Sequence, residues 1–270
     1  MIETSNTAQT ATDVYTTLAA GGFKVLVACE ESQTVCKAFR ALGIEAYSCD
    51  LQEPSGGHPE WHIQGDAVKE AYSGKYDMMI AHPPCTYMSK AGARWMYPTA
   101  GNLDVERFKK AMEAKDMFLK LLNAPIKYIA VENPVPLKVV GLPKHSQAVQ
   151  PYEYGHEYSK KTLLWLKNLP LLKPTDIKEN YKPYLPSNTG GAKRGQKHSR
   201  GIAKNAKESS KTFEGIARAM AEQWLLACCI TLVVWLVADC VARPYQPTQN
   251  YKRVVTLQIS TNTAINYTTG

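Results

Sequence analysis

Residues 78–86 read Met78-Met79-Ile80-Ala81-His82-Pro83-Pro84-Cys85-Thr86. An apolar strand runs straight into a Pro-Pro-Cys turn. Further along, Tyr128-Ile129-Ala130-Val131 runs into Glu132-Asn133-Pro134 in the same manner. Short continuous apolar runs are what a parallel strand buried on both faces requires. Two strands therefore end in reactive side chains, a thiol and a carboxylic acid. In an open α/β sheet, ligands bind outside the carboxyl ends of the strands, so these two ends mark the candidate site.

Working outward, the chain alternates strand and helix from Lys24 on. Lys24-Val25-Leu26-Val27-Ala28 is one more apolar run. Val35, Ala38, Phe39 and Leu42 follow at helical spacing, and Gly43 closes that helix. Residues 45–49 form a second strand closed by Asp50, and residues 62–64 a third closed by Gly65-Asp66. The fourth and fifth strands fall at 76–81 and 126–131. Between them, residues 103–123 make a long amphipathic helix with Phe108, Ala111, Met112, Phe118, Leu119 and Leu122 on its buried face. Repeated strand–helix–strand units imply a parallel sheet with right-handed crossovers. After Pro134 prolines and lysines become frequent. Residues 162–166 read as another strand, and a helix resumes at Phe213 and runs to Trp224.

A chain of 270 residues has ample material for one large core. Its formal net charge of +8 favours a polyanionic partner. The basic residues concentrate at 187–211, where Lys193, Arg194, Lys197 and Arg200 stand among glycines and polar residues. The seven cysteines show no CxxC spacing, which suggests neither a zinc ribbon nor a disulfide framework and fits a reducing compartment. Residues 1–22 are polar and lack the basic start and apolar run of a secretory signal, so they read as a loose arm.

The Pro84-Cys85 turn followed by Glu132-Asn133 makes the chain resemble the DNA cytosine-5 methyltransferases, in a compact, phage-type form. The resemblance holds from about Lys24 to Pro134, thins out to Trp224 and stops there. It implies an α/β, Rossmann-like S-adenosylmethionine-dependent methyltransferase sheet with a reduced recognition region, and a cytoplasmic monomer acting on DNA. The chemistry accounts for the residue types. Carbon 5 of cytosine is too electron-poor to take a methyl group directly. A thiolate added at carbon 6 makes it nucleophilic. An acid on ring nitrogen 3 stabilises the charge that develops. Cys85 would supply the thiolate and Glu132 the acid. Read alone, Cys85 is equally a small buried residue at a strand end, and Glu132 a capping or salt-bridging carboxylate.

The same resemblance implies cofactor contacts at Glu30 and Ser32 after the first strand, Asp50 after the second, Asp66 after the third, and Pro84. The chain departs from the family in one respect: Cys29-Glu30-Glu31-Ser32-Gln33 contains no glycine where a glycine-rich loop would bring backbone close to the cofactor. Asp50 also reads as a helix or turn cap. On the DNA side the resemblance points to Asn133 and Lys161 near the base, with Lys193, Arg194, Lys197 and Arg200 as phosphate anchors. The alternatives are an amino-group DNA methyltransferase, which uses Pro-Pro followed by an aromatic residue, and a non-catalytic nucleic-acid-binding protein on a degenerate scaffold. A zinc deaminase would need a second cysteine after Pro84-Cys85, and none is there. The expected division is an arm at 1–22, a catalytic core at 23–186, a basic loop at 187–211, a returning helix at 212–224, and an apolar segment with a polar tail at 225–270. The apolar run 225–238 falls short of the roughly 20 residues of a spanning helix, yet leaves membrane association open.

Overall fold

The computed structural model describes residues 3–99, 101–184 and 210–242. Five of the expected strands form, all parallel: β1 (Lys24–Ala28), β2 (Glu45–Asp50), β3 (His62–Gln64), β4 (Met78–Ala81) and β5 (Tyr128–Pro134). The main sheet has seven strands and adds β6 (Gln147–Val149) and β8 (Thr162–Lys167), in the order β3-β2-β1-β4-β5-β8-β6. β8 lies antiparallel to β5, with Glu132 opposite Leu164, and β6 antiparallel to β8. A separate parallel pair joins β7 (Tyr158–Ser159) and β9 (Lys182–Pro183). The fold is Rossmann-like, with the strand order reversing between β1 and β4.

Side chains of a strand alternate between the two faces, and that alternation divides the core in two. Val25, Val27, Met78, Ile80 and Ala130 face one layer, with Phe39 of α2 (Thr34–Arg40). Leu26, Ala28, Met79, Ala81, Ile129 and Val131 face the other, with Phe118 and Leu121 of α5 (Val105–Leu122). Short helices α3 (Ala67–Ala71) and α4 (Ala93–Met96) complete the second layer.

The ends of the chain depart from expectation. Residues 3–20 form a helix, α1 (Glu3–Ala20), instead of a loose arm. Leu18 is buried and Val14 and Tyr15 pack against the first layer, a one-sided stripe at i, i+3 and i+4. The surrounding threonines hide that stripe in the sequence, but Thr16 and Thr17 return their hydroxyls to the carbonyls of Thr12 and Asp13 and so stay compatible with a helix. The last helix, α6 (Glu214–Ala242), does not stop at Trp224. Leu225 and Cys228 lie fully buried beside Met220 and Trp224. Residues up to Val233 form one compact unit, and Val234–Gly270 is a second. Among the described residues, no helix is long and apolar enough to cross a membrane.

Candidate active site

Three neighbouring strands deliver the site. The amide of His82 still bonds to the carbonyl of Ala28 on β1 at 2.9 Å, so the ladder persists until Pro83 ends it. Cys85 then sits half-buried at the head of a turn, its carbonyl accepting from the amides of Met88 and Ser89. Arg107 of α5 anchors the turn by donating Nη2 to the carbonyl of Thr86 at 2.9 Å. Gly92 lies beneath it, and a Cβ there would lie 2.7 Å from that same nitrogen and would shift the guanidinium.

On β5, Glu132 is largely buried and accepts a hydrogen bond from Nδ1 of His82 at 2.9 Å. Burial works against charge on both partners, but the pairing prevails. The Glu132 carboxyl is held below the usual range by the hydrogen bond and charge of His82 and by Lys160. The imidazole is raised by the hydrogen bond and charge of Glu132 and by the charge of Glu30. The pair is thus ionic. Lys160, which precedes β8, faces both reactive groups. Burial lowers its ammonium, while the charges of Glu132 and Cys85 oppose that shift. Its Nζ donates to the carbonyl of Lys211 at 3.1 Å. The Cys85 thiol is pushed up to about 11, chiefly by burial and then by the Glu132 charge, with Lys160 pulling the other way.

The strand ends of the expected nucleoside side look different in detail. Glu30 is 5% exposed and accepts from the amides of Val35 and Cys36 at 2.7 and 3.2 Å. It caps α2, whose first amides need an acceptor, and is not the open cofactor ligand expected. The glycine-free loop makes its turns through Cys29 and Gln33, at φ 59° and 58°. Such left-handed residues cost about 1–2 kcal/mol each. Gln33 is held by His58, giving Nε2 to its carbonyl and accepting its amide on Oε1. Ser32 shares a hydroxyl contact with Thr34. Asp50 Oδ1 accepts from the Gln52 amide, and Asp66 Oδ1 caps α3 through Val68 and Lys69. Both read as caps, yet each engages only Oδ1 in these bonds. Cys29 feels the charge of both carboxylates, so the two converge. Leu51, 76% exposed beside Asp50, offers an apolar face against which a purine could lie. Asp50, Asp66 and Leu51 stand at the ends of β2 and β3, and Pro84 is exposed after β4.

Other expected contacts change place. Asn133 is fully buried, donating Nδ2 to the carbonyl of Pro134 with Oδ1 unpartnered, so it shapes the turn and is not on a DNA-facing surface. Lys161 is exposed, and its neighbour Lys160 is the lysine facing Cys85. His82 and Lys160 stand outside the expected set of site residues, which takes Lys161 in place of its neighbour. The Pro-Pro that follows His82 and the alternation before β8 were the only signals for them. Lys193, Arg194, Lys197 and Arg200 lie outside the described residues. Cavities of about 410 and 500 Å³ lie along α2, and neither is lined by Cys85 or Glu132.

No family model matches the chain, and no curated protein matches it. Among solved structures it is similar to a protein described as a DNA modification methyltransferase encoded within an E. coli prophage, with 12% identity and a TM-score of 0.37. That match covers 58% of this chain and 52% of the other. It is also similar to a mutant of DNMT2 from Spodoptera frugiperda, with 14% identity and a TM-score of 0.31, over 62% of this chain and 56% of that one. The chain thus spans about half the length of each. At this level of likeness neither neighbour decides the chemistry, which has to come from the site itself.

Proposed function

We propose that the protein is an S-adenosylmethionine-dependent DNA methyltransferase that modifies carbon 5 of cytosine through Cys85. The supporting observation is the convergence of Cys85, Glu132 and Lys160 at the carboxyl ends of β4 and β5, beside the point where the strand order reverses. Ligand crevices of open α/β sheets lie at that point. S-adenosylmethionine, when bound, supplies a methyl group on a sulfonium, with Asp50, Asp66, Leu51 and Pro84 as the residues that would hold it.

In this reading the target cytosine is flipped out of the duplex to reach Cys85. Sγ adds to carbon 6, and Glu132 meets the charge developing at nitrogen 3. Carbon 5 then takes the methyl group, loses its proton to solvent, and the sulfur leaves. Lys160 is the cation that favours the thiolate. Lys161, Lys193, Arg194, Lys197 and Arg200 act as phosphate contacts without reading sequence.

Cys85→Ser tests the reading. Bisulfite sequencing of DNA from cells expressing the wild type should show methylated cytosines, and the serine variant should show none. DNA carrying 5-fluorocytosine in the methylated site should form a covalent complex with the wild type alone. A serine variant that keeps appreciable methylation removes Cys85 from the mechanism. One feature favours a non-catalytic nucleic-acid-binding protein instead, the glycine-free loop whose helix terminus is already filled by Glu30. Absence of S-adenosylmethionine binding in calorimetry would select that reading.

A further inference from the structure

The order β1-β4-β5 lines up three side chains across the sheet edge: Glu30 after β1, His82 after β4 and Glu132 on β5. His82 is the middle one. Its Nδ1 lies 2.9 Å from Oε2 of Glu132, while Nε2 is buried with no hydrogen-bond partner among the described residues. Among the described residues Oε1 of Glu132 makes no hydrogen bond and is not buried unsatisfied, so one carboxylate oxygen is tied to the imidazole and the other is left for a ligand. Building on the cytosine-5 reading above, we propose that His82 is a positioning residue that stores the proton Glu132 delivers to ring nitrogen 3.

The need for such a store follows from the charges. A bare carboxylate would repel the negative charge that nitrogen 3 gains as sulfur adds, so the acid needs a proton at that moment. The same carboxylate charge raises the Cys85 thiol. A proton moving from His82 into the carboxyl relieves both at once. The groups facing the imidazole are Glu132 from β5, Glu30 from the end of β1, and Lys160 from the segment before β8. The Glu132 hydrogen bond and charge lead in favouring the imidazolium over its burial, with Glu30 adding less because burial raises that carboxyl itself.

The step balances with solvent as the acceptor of the thiol proton. The Cys85 thiolate so formed donates an electron pair to make the Sγ–C6 bond, and the C5=C6 pair moves into the ring. The Nδ1 proton of His82 passes to Oε2 of Glu132, and a turn of the carboxyl about its Cγ–Cδ bond presents that proton to nitrogen 3. Imidazolium becomes imidazole and Glu132 ends as the carboxylate it began as. When sulfur leaves, nitrogen 3 returns the proton by the same route.

The test compares the wild type with His82→Asn, whose side-chain amide can still donate to Oε2 but cannot give up a proton. Single-turnover transfer of labelled methyl to a cytosine duplex is followed across the neutral and alkaline range. The wild-type rate should climb with the Cys85 thiolate until His82 begins to deprotonate and then level off, because imidazolium is then lost as fast as thiolate is gained. The variant should be at least tenfold slower at neutral pH, should keep climbing without that plateau, and should bind S-adenosylmethionine as the wild type does in calorimetry. Lys160→Met should keep the plateau, which separates His82 from the ammonium beside it. A His82→Asn profile of wild-type height and shape overturns the proposal. Should that variant fail to fold, the wild type decides alone, since a rate that only rises with pH leaves no role for a stored proton. Wild type that neither methylates nor traps 5-fluorocytosine overturns the underlying cytosine-5 reading and this proposal with it. Trapping with an unchanged variant profile sinks only the role of His82.

Discussion

Cys85 is buried enough to be quiet and placed well enough to be woken. Its thiol is pushed up to about 11, against about 12 for Cys36, Cys49 and Cys228. Cys85 is also half-buried where those three are buried, and Lys160 counters part of the burial and of the Glu132 charge. Alkylation by iodoacetamide, mapped by mass spectrometry, should therefore label Cys85 ahead of those three cysteines, with a rate rising as pH climbs toward about 11. Thiolate fraction sets that rate, so Glu132→Gln should speed it severalfold at a given pH and Lys160→Met should slow it. Equal rates in the wild type and the methionine variant at every pH would show that the ammonium does not govern the thiol.

At the scale of the element, the strand ends carry two duties that the sequence does not separate. Asp66 caps α3 through Oδ1, and its second oxygen is the one proposed to take the cofactor. Asp66→Ala should lower stability by about 1 kcal/mol through the lost cap. It should also weaken S-adenosylmethionine binding by about 1–3 kcal/mol by leaving a buried polar partner unpaired. Asp66→Asn keeps an acceptor for the cap while replacing the second oxygen with a donor. Its melting temperature should match the wild type and its cofactor affinity should still fall. An asparagine variant that binds like the wild type would return Asp66 to a purely structural role. The β1–α2 loop shows the same economy in a different form. Where glycine would be expected, Cys29 and Gln33 adopt left-handed backbone, and Gln33 is fastened by both polar groups of His58. Strain of that kind persists where neighbours over-determine it.

For the whole molecule, the extent of α6 decides what the chain can lose. The resemblance stops at Trp224, but Leu225, Cys228 and Cys229 belong to the layer that also holds Met220 and Trp224. Burying one leucine-sized side chain contributes about 1.5–3 kcal/mol. Truncation after Trp224 should consequently lower the thermal midpoint or yield insoluble protein. Truncation after Ala242 should leave a cooperative melt and methyl transfer unchanged. A fully stable chain ending at Trp224 would mean that the later turns of α6 add nothing to the core.

Much of this architecture is legible in the sequence because buried parallel strands need unbroken apolar runs, and such runs are local. Residues 24–28 and 78–81 emerge as strands from such runs, and the mixed stretches 45–50 and 62–64 from their place between turn residues, all within a residue or two of their expected bounds; the pairing of Cys85 with Glu132 follows from where two of the apolar runs end. Partnerships across strands are not local. His82 meets Glu132 and Glu30 only because β4 lies between β1 and β5, a strand order that no single segment encodes. Which of Lys160 and Lys161 faces the thiol depends on the phase of the chain entering β8, fixed by pairing Thr162 with Pro134. Glu30 became a cap because its carboxylate meets the first amides of α2 after a turn that left-handed Cys29 and Gln33 make possible. The sequence by itself determined the strands, their reactive ends and the class of fold. Tertiary structure alone decided which charges stand beside the thiol, because electrostatic partners are set by distance in space and not along the chain.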